Sequence, residues 1–198
     1  MNRYSSRRHK LDQQFLNEKL NSAASYDRIA GYFSSSILEV AGESIENVAG
    51  KVRVICNSGL SPADVAVANY AQKMKQEWCE FSPEEKYTSP ESSKRLSTLF
   101  RLLSSEKLEI RVIPDEIFGL MHGKAGVITY KDGSKTSFLG SINETKSAFT
   151  LNYEMLWEDD SEESIKWVQE EFDYFWNSQY AVNLCDFVIN DIDRISKR

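Results

Sequence analysis

The chain has 198 residues, 41% hydrophobic and 27% charged, with a formal net charge of −6. This is enough for one α/β domain with a proper core, too little for two, and too apolar for a disordered chain. No apolar run reaches the roughly 20 residues of a bilayer crossing, and the basic start Met1–Lys10 is followed by no apolar stretch of the secretory kind, so a cytoplasmic protein is expected.

Leu11, Phe15, Leu16, Leu20 and Ala24 have helical spacing, which predicts a helix over Leu11–Ala24. Tyr26–Phe33 reads as a strand. Ser34–Ser36 offer caps for a helix over Ile37–Val48. Lys51–Cys56 is strongly β-prone. Pro62 opens a helix running to about Trp78, and the polar stretch Glu80–Pro90 reads as a loop. Ser92–Ser104 is helical, and Leu108–Ile113 alternates as a strand. Ala125–Tyr130 and Thr136–Leu139 form a hairpin around Lys131-Asp132-Gly133-Ser134, where Asp-Gly is a strong turn signal. Leu151–Trp157 is a further strand. Ser161–Trp176 is a helix whose first turn carries Glu162 and Glu163, the favoured charge at that end. The order predicts a mixed, mostly parallel sheet of about six to seven strands with helices on both faces. We expect one domain over residues 1–198, with residues 179–198 as a C-terminal helical extension.

The charge is uneven. Residues 1–60 carry 8 Lys+Arg against 6 Asp+Glu, residues 61–150 carry 12 of each, and residues 151–198 carry 4 against 12. A polyanion could therefore be held only over a local basic surface. Cys56, Cys79 and Cys185 are odd in number and scattered, which excludes a disulfide framework or a metal-binding spacing and fits small core residues in a reducing compartment. The aromatics Trp157, Trp167, Phe172, Phe175 and Trp176 read as core or dimer interface, and the acidic run Glu158–Glu163 as a solvated helix start.

The chemistry concentrates in residues 121–158. His122 and Lys124 are two apart and share a face if extended. The hairpin returns the chain beside them at Gly140-Ser141-Ile142-Asn143. An imidazole, an ammonium, a hydroxyl and a carboxamide thus converge, a set suited to a phosphodiester. Lys124 neutralises growing negative charge on the phosphoryl oxygens, and Ser141 and Asn143 donate hydrogen bonds to them. His122 can attack phosphorus and become a phosphohistidine. Glu154 is expected to hold the other ring nitrogen and fix the tautomer. No His/Cys or carboxylate cluster points to a metal, so the expected mechanism needs neither metal nor cofactor.

His122-x-Lys124 followed by Gly140-Ser141-x-Asn143 resembles the HKD signature of the phospholipase D superfamily. Tyr26–Ser34 is similar to the opening strand of phospholipase D-like domains, and the resemblance spans roughly residues 10–178. It implies a phospholipase D-like fold, His122 as nucleophile, Lys124 and Asn143 as phosphate ligands, and Ser141 in the phosphate pocket. Thr129 stands where the family often has an aspartate, and Asp132 lies in the hairpin turn. Arg28, in the opening segment, is a candidate substrate contact.

The reaction needs a second proton-handling group. The only other histidine, His9, lies in the charged N-terminal segment without companions. His122 of a second copy is therefore expected to complete one shared site in a homodimer. Nucleic acid, DNA above all, is the expected substrate, since neither a membrane-binding apolar loop nor a basic amphipathic helix is evident. A phospholipid hydrolase and a partner-docking, nucleic-acid-binding subunit of a helicase or defence complex are the alternatives. Similar domains sit beside helicases in phage-defence and restriction systems, and with no Walker motif in this chain an unwinding activity would come from a helicase or other defence-system partner.

Overall fold

The computed structural model describes residues 1–31, 33, 38–57, 90–113, 117 and 119–183. The predicted caps Ser34–Ser36, the helix over 61–78, most of the following loop, Cys79, Cys185 and residues 184–198 lie outside them.

The strands are β1 (Asn2–Ser5), β2 (Ala23–Ala30), β3 (Val52–Asn57), β4 (Leu108–Ile113), β5 (Ala125–Tyr130), β6 (Lys135–Gly140), β7 (Met155–Asp159) and β8 (Val182–Asn183). They form one sheet in the order β1-β7-β6-β5-β2-β3-β4-β8. The sheet is mixed, as expected, but not mostly parallel: only β2–β3 and β3–β4 run parallel, and the other pairings are antiparallel. The reason is connection length. Parallel neighbours need a crossover of a dozen or more residues, whereas the tight turn after Tyr130 can only reverse the chain. Asp132 secures that turn by accepting from Ser134 N at 2.9 Å.

Two strands went unforeseen, β1 and β8. Both are short and lie at sheet edges, where pairing needs no hydrophobic alternation. β8 falls inside the segment expected to be helical. The first helix also ends early. A π-helical turn (Asp12–Asn17) runs into α1 (Glu18–Asn21), and Ala23 already belongs to β2. Leu151 is not yet strand: α4 (Lys146–Thr150), capped by Thr145, precedes it.

The sheet carries a core on each face. On one, α1, α2 (Leu38–Asn47) and α3 (Pro90–Ser104) pack with the π-helical turn, burying Phe15, Leu20, Ile45 and Leu99 against Tyr26, Val54, Ile110 and Phe138. On the other, α5 (Glu162–Trp176) lays Phe172 and Trp176 over Ile29, Ile55, Ile113 and Met121. Ser161 caps α5, with Glu162 and Glu163 in its first turn. Arg53 ties this helix to the sheet. Its guanidinium grips Asp27 at 2.7 and 2.6 Å and lies 4.9 Å from the Phe172 ring. Cys56 is buried in the core. Of the aromatic set, Phe172 and Trp176 are core, while Trp157 and Trp167 are exposed.

Glu158 corrects the reading of a solvated acidic run. It is 4% exposed and faces inward. Lys19 pairs with it at 2.6 Å, and Asn2, Tyr4 and Thr136 donate to it at 3.0 to 3.1 Å. Strand alternation explains this, since Leu156 and Glu158 share the inner face of β7.

Candidate active site

The parallel strands β2 and β3 end where β5 and β7 begin and β6 stops, which gathers the candidate residues at one end of the sheet. Crevices beyond the carboxyl ends of parallel strands are the usual binding places in open α/β sheets. His122 and Lys124 lie in the extended segment just before β5, not within the strand itself. Asn57, at the end of β3, pins this segment: its side chain donates to Met121 O and accepts from Met121 N, both at 3.1 Å. Sequence reading missed Asn57, and a polar residue closing an apolar strand was the available signal.

Lys124 is 6% exposed, and its ammonium donates to His122 O at 2.7 Å. Burial, reinforced by the nearby Arg28 charge, holds its pKa below that of a free lysine, against an opposing pull from Glu154. His122 is exposed, and among the described residues its ring has no hydrogen-bonding partner.

Gly31 shows how closely the site is built. A Cβ there would lie 3.0 Å from Lys124 Nζ, 3.2 Å from Asn143 Oδ1 and 3.3 Å from Met121 O. Lys124 and Asn143 therefore converge on one point at the end of β2. Gly140 is constrained in the same way, since its Cβ would overlap the Met155 carbonyl. That explains the glycine opening Gly-Ser-x-Asn: β6 and β7 pass too close for a side chain.

The loop after Gly140 is held from beneath. Arg28 was expected to reach substrate, but it is 1% exposed and lies under the site. Its Nε donates to Glu144 Oε1 at 2.6 Å and another guanidinium nitrogen donates to Ile142 O. Tyr26 donates to the same Glu144 oxygen at 2.8 Å. Burial and the Glu144 charge push the Tyr26 phenol well above its ordinary range, so it stays a donor. The residues bonded to Arg28 and Tyr26 flank Asn143 on both sides, so the network fixes where the carboxamide sits. Arg28 is buried rather than open to a substrate because β2 is a central strand covered on both faces.

Ser141 and Glu154 meet, but not as expected. The Ser141 hydroxyl donates to Glu154 Oε2, and Asn152 donates to Oε1 at 3.5 Å. The expected bond from Glu154 to His122 is not formed within the chain; the carboxylate meets Ser141 and Asn152 instead. Among the described residues no group of three or more His, Cys, Asp or Glu side chains is placed to hold a metal ion.

The family model described as "Cardiolipin synthase, PLD-like domain" matches residues 16–176. The chain belongs to the phospholipase D-like family. The solved structure of NucT from Helicobacter pylori is similar at a TM-score of 0.58 and 19% identity, covering 92% of this chain and 97% of that one. A phospholipase D family member, Nuc from Salmonella typhimurium, is similar at 0.53 and 15% identity, covering 92% and 95%. These likenesses establish the fold. Among curated proteins no match is found. Within this phospholipase D-like chain, Thr129 lies in β5 opposite Ser25 and Lys135, at the strand end away from the site, and Asp132 is exposed at the hairpin. No helix among the described residues is long and apolar enough to cross a membrane.

Proposed function

We propose that the chain is a phosphodiesterase, a nuclease acting on DNA through a phosphohistidine at His122, with one site shared by two copies. The observation that carries this reading is the convergence of Lys124 and Asn143 beside Gly31, next to an exposed histidine. A cation and an amide held at one point suit an anionic phosphoryl group whose charge grows at its oxygens. Family membership and the likeness to NucT and Nuc support the same chemistry.

In the first step a ring nitrogen of His122 attacks phosphorus. A P–N bond forms, the P–O bond to the leaving group breaks, and the leaving oxygen takes a proton from an acid. In the second step water attacks, the P–N bond breaks, and the same group, now a base, takes the water proton. No second histidine stands beside His122: His9 lies on the N-terminal turn, its Nδ1 against Ser5. His122 of a second copy supplies the acid and base, which a two-fold dimer permits. Throughout, Lys124 and Asn143 hold the phosphoryl oxygens, and Ser141, on Glu154, borders them. In this reading the steps use side chains alone.

The test is cleavage of labelled single- and double-stranded DNA in EDTA by the wild type, by His122→Ala and by re-equilibrated mixtures of the two. Cutting should survive EDTA, vanish in the variant, and fall with the square of the wild-type fraction. A linear fall would overturn the shared site, and cutting by His122→Ala would overturn the nucleophile.

A further inference from the structure

Outside the site just described, the edge of the sheet at β1 and β7 carries a groove of about 240 Å³, lined among others by Arg3, Arg7, Arg8, Tyr153, Met155 and Trp157. Its composition is unusual for this acidic chain. Arg28, Arg53 and Arg101 each pair with a carboxylate, and Arg111 lies 4.2 Å from the Trp176 ring. Arg3, Arg7 and Arg8 are exposed, and among the described residues their side chains make no ion pair or hydrogen bond. Beside them, Tyr153 is 65% and Trp157 42% exposed. Arg3 stands directly opposite Trp157 across the β1–β7 ladder, so a guanidinium and an indole lie side by side on one face.

The groove is fixed in place and joined to the phosphate site. Arg8 N and His9 N both donate to Ser5 O at 2.9 Å, closing the turn that carries Arg7 and Arg8. The His9 ring packs 5.4 Å from that of Tyr4. Ser6 N donates to Glu154 O, and Glu154 N donates to Ser6 Oγ, each at 3.0 Å. Glu154 in turn holds Ser141. The turn bearing the cations is thus stitched to the residue that borders the phosphate pocket, and Tyr153 is its immediate neighbour.

We propose that this groove binds a single-stranded segment of nucleic acid leading into the site, with phosphates on Arg3, Arg7 and Arg8 and bases stacked on Tyr153 and Trp157. The inference rests on the nuclease reading above and extends it to a substrate class. Cationic grooves that interleave aromatic faces suit single strands, whose unpaired bases offer ring surfaces irrespective of sequence. A duplex buries those surfaces and would leave the aromatics bare. A second copy is disfavoured as occupant, because a two-fold contact centred here would set the three arginines against themselves.

The test compares wild type with Arg7→Gln/Arg8→Gln, with Tyr153→Ala/Trp157→Ala, and with Lys51→Glu, a charge change at the opposite end of the sheet. Two substrates are used, a short single-stranded oligonucleotide and bis(4-nitrophenyl) phosphate, a single diester with no strand to run beyond the site. The readout is the ratio of kcat/KM for the oligonucleotide to that for the small diester. Both groove variants should lower the ratio about tenfold or more, and Lys51→Glu should not. The arginine variant should also flatten the salt dependence of oligonucleotide kcat/KM by about 1.4 in log–log slope, roughly 0.7 for each lost phosphate contact. An unchanged ratio in both groove variants overturns the proposal. So does parallel loss on both substrates with a shift to monomer in sedimentation, which would make the groove a subunit interface. If the wild type cleaves neither substrate, the nuclease reading falls, and anisotropy of the labelled oligonucleotide then decides the groove: equal binding by wild type and both groove variants rejects it.

Discussion

Lys124 and His122 are two residues apart, and the fold treats them oppositely. Lys124 is buried, bonded to a backbone carbonyl and pressed toward Asn143 beside a glycine. His122 is exposed, and among the described residues its ring has no hydrogen-bonding partner. The difference separates two tasks. Stabilising charge works best when donors are fixed before the reaction, so their orientation costs nothing at the transition state. A nucleophile must reach phosphorus and meet an acid partner, so its setting is completed by substrate and, in our reading, by a second subunit.

The most forceful way to break this comparison is His122→Ala. Phosphodiester hydrolysis should fall at least about 10³-fold, while the denaturation midpoint barely moves, since exposed substitutions usually stay within about 0.5 kcal/mol. A large loss of stability would show that His122 is structural after all. The fixed half should respond in the reverse sense. Arg28→Met leaves the Glu144 carboxylate buried and unpaired, at a cost of about 3–5 kcal/mol in urea denaturation. Tyr26→Phe removes one donor to the same charge and should cost about 1.5–3 kcal/mol. Stability unchanged in both would mean that the network does not hold the loop.

A finer probe is Gly31→Ala. Its methyl group would displace Lys124 and Asn143 by a few tenths of an ångström. We expect kcat to fall about tenfold, short of the roughly 10²-fold that a 1 Å misplacement can cost. Circular dichroism should confirm that the fold is unaltered. The smallest effect concerns pH. In the proposed mechanism Lys124 works as a cation, and its pKa is lowered by burial and by Arg28. The alkaline limb of kcat/KM should therefore lie below that of a free lysine. Glu154 opposes this lowering, so Glu154→Gln should move the limb to still lower pH. Linkage gives a matching sign: the unfolded chain binds this proton more tightly, so the stability cost of burying Lys124 declines as pH rises through its lowered value.

The hairpin shows what was legible in the sequence. Asp132-Gly133 between two alternating runs placed β5 and β6 within a residue, and from that turn the approach of Gly140–Asn143 to Lys124 followed. The direction of the strands was less legible. Periodicity marks a strand but carries no sign, and the antiparallel share depended on how short the connections are. Arg28 and Glu158 misled for a common reason. Charged residues are ordinarily outside, and only the partner set, remote in sequence, shows that these two are satisfied within. Asn57 stayed hidden because one polar residue after a strand looks like any loop start until Met121 is found across from it.

The Arg28–Glu144–Tyr26 network has a consequence for how the protein fails when heated. The ion pair under the loop after Gly140 begins on the central strand of the sheet, so the loop has no hinge of its own on which to melt. Activity and global structure should then vanish along one curve, with no lower temperature at which an intact but idle protein accumulates. The protein would have a single breaking point, set by its sheet.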